Sequence, residues 1–318
     1  MYRGNRWLGE DVEERAGSVK EIASRLPTFR RQPLALPSRD GTVSTINWRR
    51  DLIVREPRCA KEHDLPIAVV SRQYRLVQHT EVLARAVTAL ESARIKPDVA
   101  GCELGLTTNG ERMALRIHLP DRYTFDPGAG HPMGLRLECF NSVDGSTRFT
   151  AALGWFRFVC ANGLIVGVGR TVRRRHDLAL DVEDIGAVFA EGLKAAEAER
   201  TLYVEWLRRE VDSDRVRRLV DGALAQTWGK KAAARAFHIV RTGSDGAFAE
   251  PFERATPSCR RMRATEPVPG ARGGSHTAFA VAQALAWLAR QRRDIQEQLD
   301  WARQIPELMD HLLVRQDK

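Results

Sequence analysis

The dipeptide Asn109-Gly110 lies between two apolar-rich stretches, residues 102–106 and 113–119, and it restricts the fold more than any other feature of the chain. Asn-Gly between strand-like runs is a strong signal for a tight β-hairpin, since both residues accept positive φ at low cost. In the second stretch Met113, Leu115 and Ile117 alternate with Ala114, Arg116 and His118. That period of two predicts one buried face and one wetted face. A lone hairpin is marginal in water and needs further strands or a helix. The flanking sequence offers both. Residues 133–140 and 148–159 read as a second hairpin turning at Val143-Asp144-Gly145-Ser146. Residues 67–70 and 74–77 read as short strands, and Val82, Leu83, Ala86, Val87 and Leu90 place a helix over residues 81–93. Strand, helix, then antiparallel strands is an α+β order.

Three regions follow from this reading. Residues 67–180 form the antiparallel β-rich core with its packed helix, and residues 181–318 form a mainly helical C-terminal region of the same domain. Residues 1–66 look loosely organised, with a short helix within residues 9–26, breaks at Pro27, Pro33, Pro37, Pro57 and Pro66, and a strand or two over residues 43–54 interrupted at Asn47. In the C-terminal region Asp181, Asp214 and Ser275 are the expected N-caps of three helices, and a last helix is expected over residues 306–314. Residues 242–274, rich in Gly, Pro and Arg, read as a long loop.

Asn141-Ser142-Val143-Asp144-Gly145-Ser146 is a turn on physical grounds, because Asn141 and Asp144 bond their own backbone and Gly145 allows φ > 0. The strand after it carries Arg157 in apolar surroundings, so that side chain should face solvent, a carboxylate or a phosphate. Asn162-Gly163 then turns again. Together with Val159, Cys160 and Leu164, the basic residues 170–176 and an upstream Val70-Ser71-Arg72-Gln73-Tyr74-Arg75-Leu76-Val77, these motifs resemble those of the "domain of unknown function 932" family, often labelled phage/plasmid-like protein. The resemblance spans residues 67–300; the aromatic pattern expected in the C-terminal helix is not evident at His276-Thr277-Ala278-Phe279. It implies association with phages, plasmids and integrated elements, and no settled activity or catalytic residues.

Charge then bears on function. The net charge is +9 with a pI near 9.7, and 43 of the 50 basic side chains are arginine. A basic surplus favours acidic partners, nucleic acid first among them. Arg170, Arg173, Arg174 and Arg175 fall within six positions, beside His176, on what reads as an exposed connector. A second basic group, Arg254, Arg260, Arg261, Arg263 and Arg272, lies in the expected loop. Trp7, Trp48, Trp155, Phe156 and Phe158 are candidate base-stacking surfaces, although core packing is the commoner fate of such residues. The expected nucleic-acid contacts are therefore Arg157, Arg170, Arg173, Arg174, Arg175, Arg260, Arg261 and Arg263.

Enzyme signals are weak. Gly167-Val168-Gly169 lacks the third glycine and the helix start of a dinucleotide site, and neither Walker A nor G-x-S-x-G occurs. His63-Asp64 and His176-Asp177 are isolated pairs, and the five cysteines form no C-x-x-C, so reduced and mostly buried thiols are expected. No catalytic residue, metal or cofactor is expected. The N-terminus has no apolar h-region and no run is long enough to span a bilayer, so a cytoplasmic location and no membrane partner are expected. The expected role is sequence-tolerant nucleic-acid binding, with single-stranded DNA favoured, in recombination or replication. The alternatives are a protein-interaction module acting on a host factor such as a defence enzyme and, below it, a metal-dependent nuclease. Self-association stays open.

Overall fold

The computed structural model describes residues 12–39, 41, 44–127, 132–157, 164–248, 256–268, 271, 277–292 and 294–313. β1 (Val12–Gly17) passes into α1 (Val19–Ala23) through Ser18, which closes a capping box: the Glu21 amide donates to Ser18 Oγ and the Ser18 amide to Glu21 Oε2. Ile22 then plugs α1 into the core. β2 (Phe29–Pro37), β3 (Ser44–Arg55) and β4 (Leu65–Ser71) form a three-stranded antiparallel sheet in that order. Pro33 and Pro37, expected to break the chain, sit in β2 because it is an edge strand, where missing amide donors are tolerated. Residues 12–55, expected to be loose, thus pair with strands on both sides of position 66.

Residues 74–77 do not form the expected strand; Tyr74 instead buries its ring and donates its hydroxyl to the Ser142 carbonyl. α2 (His79–Ser92) follows, burying Val82, Leu83, Ala86 and Leu90. β5 (Gly101–Thr107) and β6 (Arg112–His118) form the hairpin about Asn109-Gly110, with Gly110 at φ +77° and its amide bonded to Thr107 O at 2.8 Å. β7 (Thr124–Phe125), β8 (Met133–Ser142), β9 (Phe149–Arg157) and β10 (Leu164–Arg174) complete an antiparallel sheet ordered β1-β5-β6-β8-β9-β10, with β7 on β8. Its main face carries Leu104, Leu115, Leu137 and Leu153 into the core. The opposite face is not wetted as expected, since Ala114 and Arg116 are both buried. Ala114, Phe140 and Ala152 on that face meet Leu299, which arrives from the last helix.

α3 (Asp184–Arg208) crosses β9 and β10. Its Gly192 leaves no room: a Cβ there would stand 2.8 Å from the Leu153 side chain. Asp181 does not cap this helix; Glu183 holds the cap position and Asp181 Oδ1 accepts the Glu183 amide in a local turn. α4 (Ser213–Leu219) is capped by Asp212 rather than Asp214, and a π-helical turn at Val220–Leu224 leads into α5 (Ala225–Trp228) and α6 (Lys230–Thr242). The expected long loop contains a hairpin, β11 (Ser244–Phe248) with β12 (Met262–Pro267), packed on α6. α7 (Ala278–Arg290) is capped by Thr277, and Ser275 lies outside the described residues. α8 (Ile295–Leu313) starts well before Pro306 and continues through it, because Leu299, Ala302, Ile305, Leu308, Met309 and Leu312 give one buried stripe on both sides of the proline. Cys102 and Cys139 are buried and Cys59 and Cys259 exposed; Cys160 lies outside the described residues.

Candidate nucleic-acid interface

The basic run at residues 170–174 lies within β10 and is not a connector. The helices packed against this strand supply its counter-charges. Arg170 Nε stands 3.3 Å from Glu191 of α3, and Arg174 Nε 3.0 Å from Asp184 at the start of α3. Arg173 donates to both carboxylate oxygens of Asp300 in α8, at 3.0 and 2.9 Å. Each of the three is thus partly neutralised by a carboxylate from the helices, Arg173 through both carboxylate oxygens. Arg175, just past the strand, is exposed. Arg157 ends β9 opposite Met133 and Leu164, and its side chain, like Arg254, Arg272 and the Asn162-Gly163 turn, lies outside the described residues. Arg260 follows a short turn held by Asp221, which accepts the Ser258 amide and hydroxyl at 2.9 and 2.5 Å. Arg261 and Arg263 are exposed, the latter on β12 opposite Ala247.

The aromatic candidates separate sharply. Trp155 and Phe156 are buried, and Trp7 and Phe158 lie outside the described residues. Trp48 is 71% exposed. It sits in the first half of β3, where residues 45–50 are exposed whichever way their side chains alternate. The Arg72 guanidinium carbon lies 5.7 Å from the Trp48 ring centroid, within cation–π range. The register Leu52↔Val69 and Arg50↔Ser71 puts Arg50 and Val69 on one face of the three-stranded sheet, whereas Trp48 lies in an irregular stretch of β3 between Ile46 and Asp51, with Arg72 reaching both its ring and, at 3.8 Å, the Asp51 carboxylate. Val69 and the neighbouring Ile46 are also exposed. The other face, through Ile53 and Val70, packs on Phe29, Tyr74 and Val143. The sequence signal for this surface is Asn47-Trp48-Arg49-Arg50, a tryptophan running into two arginines opposite a proline-bearing strand. On sequence alone Trp48 is one of five stacking candidates, in what reads as a broken strand.

The stretches on which the resemblance rests meet in space. Asn141 Nδ2 donates to the Val77 carbonyl and to His79 Nδ1, both at 2.9 Å, while His79 Nε2 donates to Gly110 O at 2.8 Å. Burial, above all, drives the His79 pKa down to about 4, so the ring is neutral, as this bonding requires. Asp144 accepts from the Ser146 amide and hydroxyl with one oxygen and from Arg112 with the other. Gly145, at φ +76°, passes under the Tyr74 ring. His176 stacks on Tyr74 with ring centroids 5.1 Å apart, and Arg75 and His176 exchange hydrogen bonds through main chain and ring. The signature is therefore a junction. It ties the β8–β9 turn to the start of α2, the β5–β6 turn and the end of β10.

The family described as Domain of unknown function (DUF932) matches residues 66–313. The chain belongs to the DUF932 family. Neither the curated proteins nor the solved structures compared with it gave a match.

A buried charge network, drawn from the DUF932 region and from Glu14 of β1 before it, occupies the second face of the large sheet. Arg116, Arg136 and Glu138 are each nine-tenths or more buried. Arg136 pairs with Glu138 and lies over the Phe156 ring at 4.7 Å, and Arg116 lies 3.6–3.7 Å from Glu138, Glu103 and Glu14. His118 Nε2 is 2.8 Å from Glu103, whose pKa falls to about 2, chiefly through that hydrogen bond. Burial pulls Glu138 up, but Arg136, Arg116 and Arg290 outweigh it and hold the carboxyl low. The cavity beside Glu138, closed by Ala289, Arg290, Gln298 and Ala302, measures about 10 Å³, which is the room of one water and excludes a larger ligand. Opposite charges in near balance in so little space make a structural network. Among the described residues no group of three or more His, Cys, Asp or Glu could hold a metal, and no helix is long and apolar enough to cross a membrane.

Proposed function

We propose that this chain is a nucleic-acid-binding protein that takes single-stranded DNA on the exposed first half of β3. The observation that carries the reading is Trp48, 71% exposed on a strand beside Arg49 and Arg50 with Arg72 over its ring. An exposed large aromatic costs solubility and contributes nothing to the core. Stacked against a base it is worth about 1–3 kcal/mol, whatever the base. The arginines around it can take the flanking phosphates, and the net charge of +9 draws the polyanion in. A base must be unpaired to reach the ring, which favours single strands over duplex. A place in recombination or replication of a mobile element rests on the resemblance and on fold-level analogy to annealing proteins with a sheet-and-helix core.

The test is fluorescence anisotropy with labelled single-stranded and duplex DNA over a salt series from roughly 50 to 200 mM. Tighter single-strand binding, weakened about 5- to 150-fold in Trp48→Ala, is the expected result. No binding at low salt, or equal binding by the variant, would overturn it. Ile46 and Val69, exposed on the same small sheet as Trp48, favour one second reading, a host protein docking on this sheet. That reading gains if DNA fails to bind while a photo-crosslinker at position 48 captures one defined protein from nuclease-treated lysate.

A further inference from the structure

A cleft of about 460 Å³ opens between β1, the chain after α1 and the chain after β3. That volume lies within the range of small-ligand sites. Leu104 and Leu106 of β5 form its floor, and its walls carry Glu13, Arg15, Ser24, Arg25, Thr28 and Arg58. Three guanidinium groups thus face one carboxylate. Glu13 is already bonded to Arg15, and no other carboxylate lines the cleft; Glu21 feels the charge of Arg25 from outside the lining but accepts its hydrogen bonds from Ser18.

The walls are fixed before any ligand arrives. The capping box and the buried Ile22 hold α1, and the Arg25 and Leu26 amides bond back to Ile22 and Ala23 at 3.1 and 3.3 Å. On the opposite wall the Arg58 amide donates to Glu62 Oε2 at 3.1 Å, and the same carboxylate oxygen takes Arg55 Nη2. The Arg58 head is seated as well. A Cβ on Gly110 would stand 3.1 Å from Arg58 Nη2 and 2.7 Å from the Pro27 ring, so Pro27, Gly110 and Arg58 interlock. Arginines lining one cleft with rigid walls match an anion with several charges close together, and their planar forks suit phosphate oxygens.

We propose that this cleft binds a compact anion bearing two or more linked phosphate groups. It is separate from the stacking surface. β2 leaves the cleft after Thr28 and β3 returns to it after Arg55, whereas Trp48 lies seven residues back along β3, a span of at most about 23 Å at the rise of an extended strand. Two sources carry this chemistry, a free nucleotide's polyphosphate and the backbone of a nucleic acid.

The experiment is calorimetric titration of the full chain with inorganic tripolyphosphate at low salt. Saturable binding is expected, at least tenfold weaker in Arg25→Glu/Arg58→Glu and unchanged in Trp48→Ala and in Arg217→Glu/Arg218→Glu, which alters the net charge equally on an exposed helix. Arg25→Gln/Arg58→Gln gives the same readout should the charge reversal disturb folding. Competition then separates the sources. Displacement of tripolyphosphate by a short oligonucleotide assigns the site to nucleic-acid backbone, and displacement by ATP alone assigns it to a nucleotide. No saturable binding by the wild type, or equal affinity in the cleft variants and the Arg217/Arg218 control, overturns the proposal. Because Trp48→Ala separates the two surfaces, DNA stacking can fail while this site stands, and the reverse.

Discussion

His79 shows what single residues do in this chain. It is fully buried, accepts from Asn141 and donates to the Gly110 carbonyl, and so couples the start of α2 to two turns of the large sheet. Its folded pKa, about 4, lies below the unfolded value of 6.5. The unfolded chain therefore binds the proton first as pH falls, and stability contributed by the neutral ring is present above pH 6.5 and lost on the way down to 4. Between pH 7 and pH 5 this group should cost on the order of 2 kcal/mol. Urea unfolding of wild type and His79→Gln at both pH values checks it, and the variant should lose less on acidification. Equal losses would sink the assignment. Sequence could name Asp144 and Gly145 as turn formers, because their chemistry is local, whereas Asn141, expected to bond its own backbone, lies in β8 and bonds across to the start of α2. Nor could sequence name the partners of Asn141 and Asp144, Val77, His79 and Arg112, which are distant in the chain. For the same reason Arg116 reads as a wetted position, since the carboxylates that let it be buried come from other strands.

Elements with strong periodicity are legible in the sequence and those without it are not. The β5–β6 and β8–β9 hairpins and α2 stand where alternation and 3-and-4 spacing put them. β12, with the sequence Met-Arg-Ala-Thr-Glu-Pro, is exposed over most of its length and has no apolar face to announce it. Three helix caps stand two residues from their expected places, Glu183 for Asp181, Asp212 for Asp214 and Thr277 for Ser275, because several polar residues crowd those positions. The seating of α3 on β9 depends on the absence of a side chain at Gly192, beneath which Leu153 fills the groove. Gly192→Val forces a clash that neither a helix backbone nor a buried leucine can relieve cheaply. A loss of about 1–3 kcal/mol in denaturant stability is expected. A stability unchanged within error would mean that α3 has room to shift.

At the scale of the molecule, charge is distributed in two ways. Arg170, Arg173 and Arg174 are matched by carboxylates from the helices, whereas the first half of β3 presents Arg49 and Arg50 in the open. Arg49→Glu/Arg50→Glu should therefore flatten the salt dependence of single-strand binding, by about 0.7 in the log–log slope for each phosphate no longer neutralised. An unchanged slope would remove both residues from the interface. The family match begins at residue 66, and both proposed surfaces draw on residues before it.

That boundary crosses the hydrogen bonding of both sheets. β1 covers β5 along six residue pairs, and β3 covers β4 from Arg55↔Leu65 to Arg50↔Ser71. A fragment cut where the family begins would bare two rows of unpaired amides and carbonyls at once, one of them on the β5–β6 hairpin that organises the core. Open strand edges recruit strands from other molecules. Residues 66–318 expressed alone should self-associate, as light scattering would register, and a monomeric, well-folded fragment would show that β5 and β4 are stable without their covers. Self-association would make the N-terminal strands the solubility device of both sheets, as well as the carriers of the exposed Trp48.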